Sequence, residues 1–379
     1  MAHFLYKMQE ITEIIFFMCI IVIGYTYIGY FLYLLCLYKI KGKKQIKKKA
    51  ITPKVSVIIA VYNEEKNIGK KIKNLLEQTY PRNKLEIIFI SDGSTDNTNN
   101  ILLKAEQEHT FIKAIIYKKK RSKPYALNLG VQHSQGEIII FADARQEFDH
   151  NAISNLVKNF ADKSVGCVSG ELVFVENTDS KIKAEIGTYW KFEKYIRYLE
   201  SLTGSVVGAT GAIYAIKKEL FVPFPEDILL DDVYLPLKIA EQTYRVLFDS
   251  EALAFDVYSP DFSKEKRRKI RTLLGNWQLI YKNPSLIIPY KHPLWFRFIS
   301  HKFLRLIIPH VFLLTVFTAA FSGYLWVTML IFIAMILSFL RTNIPILRKI
   351  LSLNRSFFFL NYCALLAFFY FLRKKWDIW

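Results

Sequence analysis

The sequence predicts an α/β domain with a mostly parallel sheet, helices on both faces, and transmembrane helices flanking it in the chain. Three observations lead there. Uncharged or apolar runs lie near both ends, the first from Ile14 to Tyr38 and others beyond Leu306; a bilayer crossing takes about 20 apolar residues. Between them, β-branched runs alternate with stretches of helical spacing. Acidic clusters close three of the β-branched runs. Composition agrees: the 379 residues are 52% hydrophobic and 22% charged, with a mean hydropathy of +0.17. That excludes a disordered chain and departs from an ordinary soluble domain.

The first apolar run is longer than the core of a signal peptide and lacks a small-residue cleavage site. It is followed at once by Lys39, Lys41, Lys43, Lys44, Lys47, Lys48 and Lys49, whereas Lys7, Glu10 and Glu13 precede it. The positive-inside rule puts the lysine side in the cytosol. The expected layout is a short non-cytosolic N-terminus (1–13), a transmembrane helix (14–38) and a basic juxtamembrane linker (39–52). A cytosolic α/β domain (53–282), an interfacial amphipathic segment (283–303) and a C-terminal transmembrane region of two or three helices (304–379) follow. In that last region Leu306–Phe321 and Tyr324–Leu340 read as full spans joined at Ser322-Gly323. Phe357–Leu372 reads as a shorter candidate. Trp295, Phe296 and Phe298 among Lys291, Arg297 and Lys302 suit a helix in the headgroup layer.

The cytosolic block opens with the strand Val55–Val61, then a helix over Asn67–Gln78 and a strand over Leu85–Ile90. A helix over Asn97–Glu108, a strand over Phe111–Tyr117, a helix over Lys123–His133 and a strand over Glu137–Ala142 follow. Strictly alternating strands and helices imply parallel pairing with both faces covered. Ligands of such sheets sit at the carboxyl ends of the strands. There the polar residues collect: Val61-Tyr-Asn-Glu-Glu65, Ser91-Asp-Gly-Ser-Thr-Asp96 and Asp143-Ala-Arg145. One aspartate after a strand is an ordinary turn or cap residue. Three clusters at three strand ends point to a common site. There is neither a GxGxxG nor a GxxxxGK[ST] sequence, so dinucleotide-fingerprint and P-loop chemistry are unsupported.

The residue types suit a nucleotide-sugar. Tyr62 can stack on a base, Glu64 and Asp92 can accept from ribose or base donors, and Asp143 can hold a divalent cation against a diphosphate. Asp231-Asp232 precedes a helical stretch, Val233–Glu241. Paired aspartates there are either a helix cap or the site of a general base for an acceptor hydroxyl. Arg268 and Arg271 lie one helical turn apart, within reach of a diphosphate. The net charge of +19, from 52 Lys+Arg against 33 Asp+Glu, suits nucleic acid, anionic lipid or a phosphorylated substrate. No nucleic-acid motif appears, and acidic strand ends would repel phosphates without a cation. The four cysteines form no CxxC, which argues against a disulfide framework or a zinc site.

In this order, the clusters above together with Lys123-Pro-Tyr-Ala-Leu-Asn-Leu-Gly130, Gly208-Ala-Thr-Gly-Ala-Ile-Tyr214 and Arg268-Lys-Ile-Arg271 resemble the family 2 glycosyltransferases. The likeness is to the membrane-embedded branch containing cellulose, hyaluronan and poly-N-acetylglucosamine synthases. It runs from Val55 to about Gln278. The resemblance implies a GT-A fold for 53–282. It further implies nucleotide binding by Tyr62, Glu64, Asp92 and Lys123, metal binding by Asp143, diphosphate contact by Arg271, acceptor contact by Thr210 and Gly211, and Asp232 as the general base. Three positions depart from the family pattern: Arg145 replaces the second carboxylate of Asp-x-Asp, and Arg268 and Thr272 replace the glutamine and the tryptophan of Gln-x-x-Arg-Trp.

The expected activity is inverting transfer of one or a few sugars from a nucleotide-sugar, UDP-linked, to a lipid-linked or envelope polysaccharide acceptor. Mg²⁺ or Mn²⁺ is the expected cofactor, with Arg145 as a competing source of positive charge. The partners are the donor, the acceptor and membrane lipids, at the cell membrane, with no nucleic acid. A processive synthase coupled to export and a degenerate scaffold or binding protein stand as alternatives.

Overall fold

The period-two alternation of the β-branched runs sends their side chains to opposite faces of one sheet. Val57, Ile59, Ile87, Phe89 and Ile140 enter one buried cluster. Ile58, Ile88, Ile90, Ile139 and Phe141 enter another. A computed structural model describes residues 2–175, 185–257 and 262–376. Met1 and 377–379, the outer ends of the expected first and last segments, lie outside the described residues.

The described residues contain eight strands: β1 (Val55–Val61), β2 (Leu85–Asp92), β3 (Ile112–Tyr117), β4 (Ile138–Ala142), β5 (Glu147–Phe148), β6 (Val165–Val175), β7 (Ile213–Lys217) and β8 (Arg245–Val257). They form one sheet in the order β3-β2-β1-β4-β7-β6-β8-β5. The β1–β2, β2–β3 and β1–β4 pairs are parallel. β4–β7 and β6–β7 are antiparallel, while β6 and β8 run parallel. The reversal at β7 brings the later half of the domain beside the β4 end that carries Asp143. Helices Glu65–Leu76, Thr98–Glu108 and Lys123–His133 fall within two residues of the spacing-based expectation.

The helices outside this domain differ from the hydropathy reading. The first is continuous from Ala2 to Lys41, with a π-helical stretch at Tyr25–Gly29. Among the described residues three helices are long and apolar enough to cross a membrane: Tyr6–Lys41, Trp295–Phe321 and Ile346–Leu372. The apolar segment after Gly323 is helical only over Leu325–Leu337, 13 residues, or about 20 Å. The segment expected to be short belongs instead to the helix Pro345–Leu372. Basic residues at 348, 349 and 355 hid it: the helix runs through them, but their charge breaks a hydropathy window. The expected interfacial stretch also changes character. Trp295–Phe298 continues through a π-helical turn at Ile299–Phe303 into the span Leu304–Phe321. Phe298, Ser300 and His301 are buried, so the beginning of this helix docks on protein. The two π-helical turns meet, with Tyr25 and Ser300 hydroxyls 2.8 Å apart. Helix Phe262–Lys282 fastens the domain to the last helix, with Trp277 stacked on Phe371 at 5.3 Å. All four cysteines are free thiols.

Candidate active site

The loops after β1 and β2 are stitched by their own polar side chains. Asn63, held at a positive φ of 53°, accepts the Thr95 N–H on its side-chain oxygen at 2.8 Å. Its backbone N–H donates to Ser94 Oγ at 3.1 Å. The Glu64 N–H donates to Thr98 Oγ1 at 2.9 Å, and the Glu64 carboxylate accepts from Asn67 at 2.6 Å. Glu64 thereby shapes the first loop. Asp92, 4% exposed, accepts the Arg121 N–H at 2.7 Å. Next to it Gly93 has a φ of 72°, and a Cβ there would lie 2.5 Å from the Lys120 nitrogen. Only glycine allows the third loop, 118–122, to approach so closely. The Lys120 ammonium lies 3.8 Å from the centre of the Tyr62 ring, so a lysine covers a face of the ring expected to stack on a base.

Helix Lys123–His133 starts at Ser122, whose hydroxyl accepts the Tyr125 N–H at 3.3 Å. Lys123 is its first residue and points across the carboxyl end of β4. Its ammonium donates to Asp143 Oδ1 at 2.8 Å and lies 3.7 Å from Asp231 Oδ2. Burial works against this charge, yet Asp143, Asp231 and Asp232 outweigh it and hold the Lys123 pKa above the usual lysine value.

Asp231 and Asp232 open helix Asp231–Glu241. Asp231 is 5% exposed. Asp232 Oδ2 accepts the Gly211 N–H at 3.0 Å, and its carbonyl accepts the Ala209 N–H at 2.7 Å. A Cβ on Gly211 would sit 3.2 Å from Asp232 Oδ2. Burial, and then the neighbouring Asp231, raise the Asp232 pKa to about 6, against the opposing pull of Lys123 and Arg271. Arg271 reaches the cluster from helix Phe262–Lys282, and its guanidinium donates to the Leu229 carbonyl at 3.2 Å. Thr210 Oγ1 accepts from Arg197 at 2.7 Å.

The structure thus gathers Lys123, Asp143, Gly211, Asp232 and Arg271 around the β4 end. Tyr62, Glu64 and Asp92 lie on adjoining loops, tied in through the segment 118–123. Two arginines weighed for the site are engaged elsewhere. Arg145 pairs with Asp256 at 2.6 Å, and Arg268 pairs with Glu265 at 2.6 Å. Sequence reasoning missed Lys120, Arg197 and the contact of Asp231 with Lys123. Lys120 sits in a basic run that reads as solvated surface, and Arg197 lies on a helix with no motif.

A cation at this site would rest on Asp143, whose side chain is 38% exposed. Among the described residues no group of three or more His, Cys, Asp or Glu side chains forms a metal cage. Mg²⁺ is commonly bound through one or two carboxylates plus substrate phosphates, and the single, partly exposed Asp143 carboxylate would fit that mode once its ion pair with Lys123 opens.

The sequence profile of glycosyl transferase family 2 matches residues 56–222. That segment is a family 2 glycosyltransferase domain. It contains Tyr62, Glu64, Asp92, Lys123, Asp143, Thr210 and Gly211, while Asp232 and Arg271 lie beyond it. The poly-beta-1,6-N-acetyl-D-glucosamine synthase of Staphylococcus aureus (strain COL) is 24% identical over 233 residues, covering 60% of this chain and 56% of that protein. The probable glycosyltransferase YdaM of Bacillus subtilis (strain 168) is 25% identical over 249 residues, covering 61% and 57%. The chain spans a little over half the length of these curated relatives. The mannosyltransferase PcManGT from Pyrobaculum calidifontis, solved in complex with GDP-Man and Mn²⁺, matches with a TM-score of 0.74 at 23% identity. That match covers 95% of this chain and 99% of that one, and the shared α/β fold is GT-A.

Proposed function

We propose that the protein is an inverting, membrane-bound glycosyltransferase. It moves a sugar from a UDP-linked donor to a hydroxyl of a lipid-linked or envelope polysaccharide acceptor, one or a few sugars at a time. The domain faces the cytosol and the apolar helices anchor it in the cell membrane. The observation that carries this reading is the Asp232 carboxylate. It is raised to a pKa of about 6, held by the Gly211 N–H, and grouped with Lys123 and Asp143. A base with that pKa is mostly ionised at neutral pH and still accepts a proton efficiently.

The donor base and ribose bind at Tyr62, Glu64 and Asp92, which requires the Lys120 side chain to swing off the Tyr62 ring. Asp143 would hold Mg²⁺ or Mn²⁺, which, when bound, neutralises the diphosphate leaving group. Lys123 and Arg271 add fixed positive charge where the leaving group departs, the place where preorganised charge lowers the barrier most. Asp232 takes the proton of the acceptor hydroxyl. The acceptor oxygen attacks the anomeric carbon from the face opposite the diphosphate, the glycosidic bond forms as the bond to the diphosphate breaks, and an α-linked donor gives a β-linkage. Arg145, bonded to Asp256, is held out of this chemistry.

A donor screen on the detergent-solubilised protein, scored by released nucleoside diphosphate, tests the reading. Release from a UDP-sugar that depends on Asp232 is the expected result. Donor binding with no turnover of any donor would leave a binding or scaffold protein. Product length separates limited transfer from processive synthesis. Thr272, standing in for the family's tryptophan, favours short products.

A further inference from the structure

We infer that Arg197 is a positioning residue for the Asp232 base; this rests on the reading of Asp232 given above. Arg197 lies on helix Glu185–Thr203, remote in sequence from every strand-end motif. Its guanidinium donates to Thr210 Oγ1 at 2.7 Å, to Ser169 Oγ at 2.8 Å and to the Gly208 carbonyl at 3.2 Å. The buried Ser169 Oγ also accepts the Thr210 N–H at 2.9 Å. One side chain therefore fixes both ends of the loop 208–210. From that loop and the residue that follows it, the Ala209 and Gly211 N–H groups reach Asp232, the first to its carbonyl and the second to its carboxylate.

The helix carrying Arg197 is itself clamped. Glu193, Arg197 and Glu200 recur at helical spacing and share one side of it. His301, at the start of the helix Trp295–Phe321, lies 2.6 Å from Glu193 and 2.9 Å from Glu200 through its two ring nitrogens. Arg305 pairs with Glu193 at 2.6 Å, and the Tyr30 hydroxyl of the first apolar helix donates to Glu200 at 2.6 Å. Burial disfavours the two carboxylates, but Arg305 and His301 hold Glu193 well below the usual range, and His301 and Arg297 hold Glu200 low. Side chains of the two apolar helices thus fix the helix, and Arg197 passes that fixed position to the loop that grips the base. A misplacement of about 1 Å at a reacting group can cost on the order of 100-fold in rate.

The test compares Arg197→Met, Arg197→Lys and Asp232→Asn in the full-length, detergent-solubilised protein. The readings are kcat for transfer, donor Kd and the acid limb of the pH profile. Arg197→Met is expected to lower kcat by about 100-fold with donor Kd within about twofold. It should also move the acid limb to higher pH, because the Arg197 charge near Asp232 is gone and a loosened loop removes the Gly211 hydrogen bond from the ionised Asp232; Arg197→Lys, which keeps the charge, isolates the second cause. Asp231, Asp143, Lys123 and Arg271, the other charges facing Asp232, are unchanged in that variant. Arg197→Lys should recover part of kcat. Unchanged kcat in Arg197→Met overturns the inference, as does a parallel loss of donor affinity with an unmoved acid limb, which marks a purely structural role. If Arg197→Met fails to fold, Ser169→Ala gives the same readings by removing the shared acceptor. Full transfer by Asp232→Asn would overturn the base assignment. Abolished transfer there beside wild-type kcat in Arg197→Met would overturn only the role of Arg197.

Discussion

Lys123 donates to the Asp143 carboxylate at 2.8 Å, so the residue expected to hold a cation already carries a positive partner from the chain. The same ammonium lies 3.7 Å from Asp231 and lowers the pKa of Asp232. Lys123 therefore links the donor and acceptor sides of the cleft electrostatically. Lys123→Gln should weaken donor binding and raise the Asp232 pKa, moving the acid limb of kcat/KM upward. A pH–rate profile with an unmoved acid limb would contradict the coupling.

Asp232 has a folded-state pKa of about 6, against an ordinary value of 3.8. Transfer should fall about tenfold per pH unit below pH 6, as the base becomes protonated. Stability runs the opposite way. A carboxyl with a raised folded pKa binds more protons folded than unfolded between the two values, so the protein loses stability as pH rises from about 4 to 6. Asp232→Asn should abolish transfer and, at pH 7, stabilise the protein by about 3 kcal/mol. That gain should shrink toward zero near pH 4. Thermal melts of the two proteins across this range check it.

A Cβ added to Gly211 would crowd the base, standing 3.2 Å from Asp232 Oδ2, so the carboxylate would have to give by a few tenths of an ångström. Gly211→Ala should lower kcat by about tenfold and leave donor affinity close to wild type, because the strain falls on the base alone. Isothermal titration with the nucleotide-sugar, beside a transfer assay, separates the two effects.

Arg145 and Asp143 should respond differently to substitution. Arg145 is bonded to the buried Asp256, which also accepts from Gln146, so Arg145→Gln should leave transfer within about threefold and the metal requirement unaltered, because the arginine is turned away from the donor site. Asp143→Asn should lose most activity and shift the Mn²⁺ dependence to higher concentration. Activity in EDTA that disappears in Arg145→Gln would instead assign the cation's role to the arginine.

Much of the fold was legible because its signals are local. The continuous β-branched run in Val55–Val61, the helical spacing of Ile68, Ile72 and Leu75, and Ser122 before Lys123-Pro124 are set by neighbours in sequence. The apolar helices were less legible. A hydropathy window cannot tell that Arg348, Lys349 and Arg355 lie within one continuous helix, because hydrogen bonding along the backbone decides helix length and side-chain charge does not.

The order of motifs along the chain determined the α/β layout, the family likeness and the set of acidic residues at the strand ends. Only the tertiary structure decided which of them meet. The antiparallel entry of β7 carries Gly211 to the β4 end, and the segment 218–230 returns Asp232 to it. The side-chain geometry then gives Lys123 to Asp143 and Arg145 to Asp256. Charge pairing depends on distances of a few ångströms between residues tens to a hundred positions apart, and no local pattern in a sequence encodes such distances.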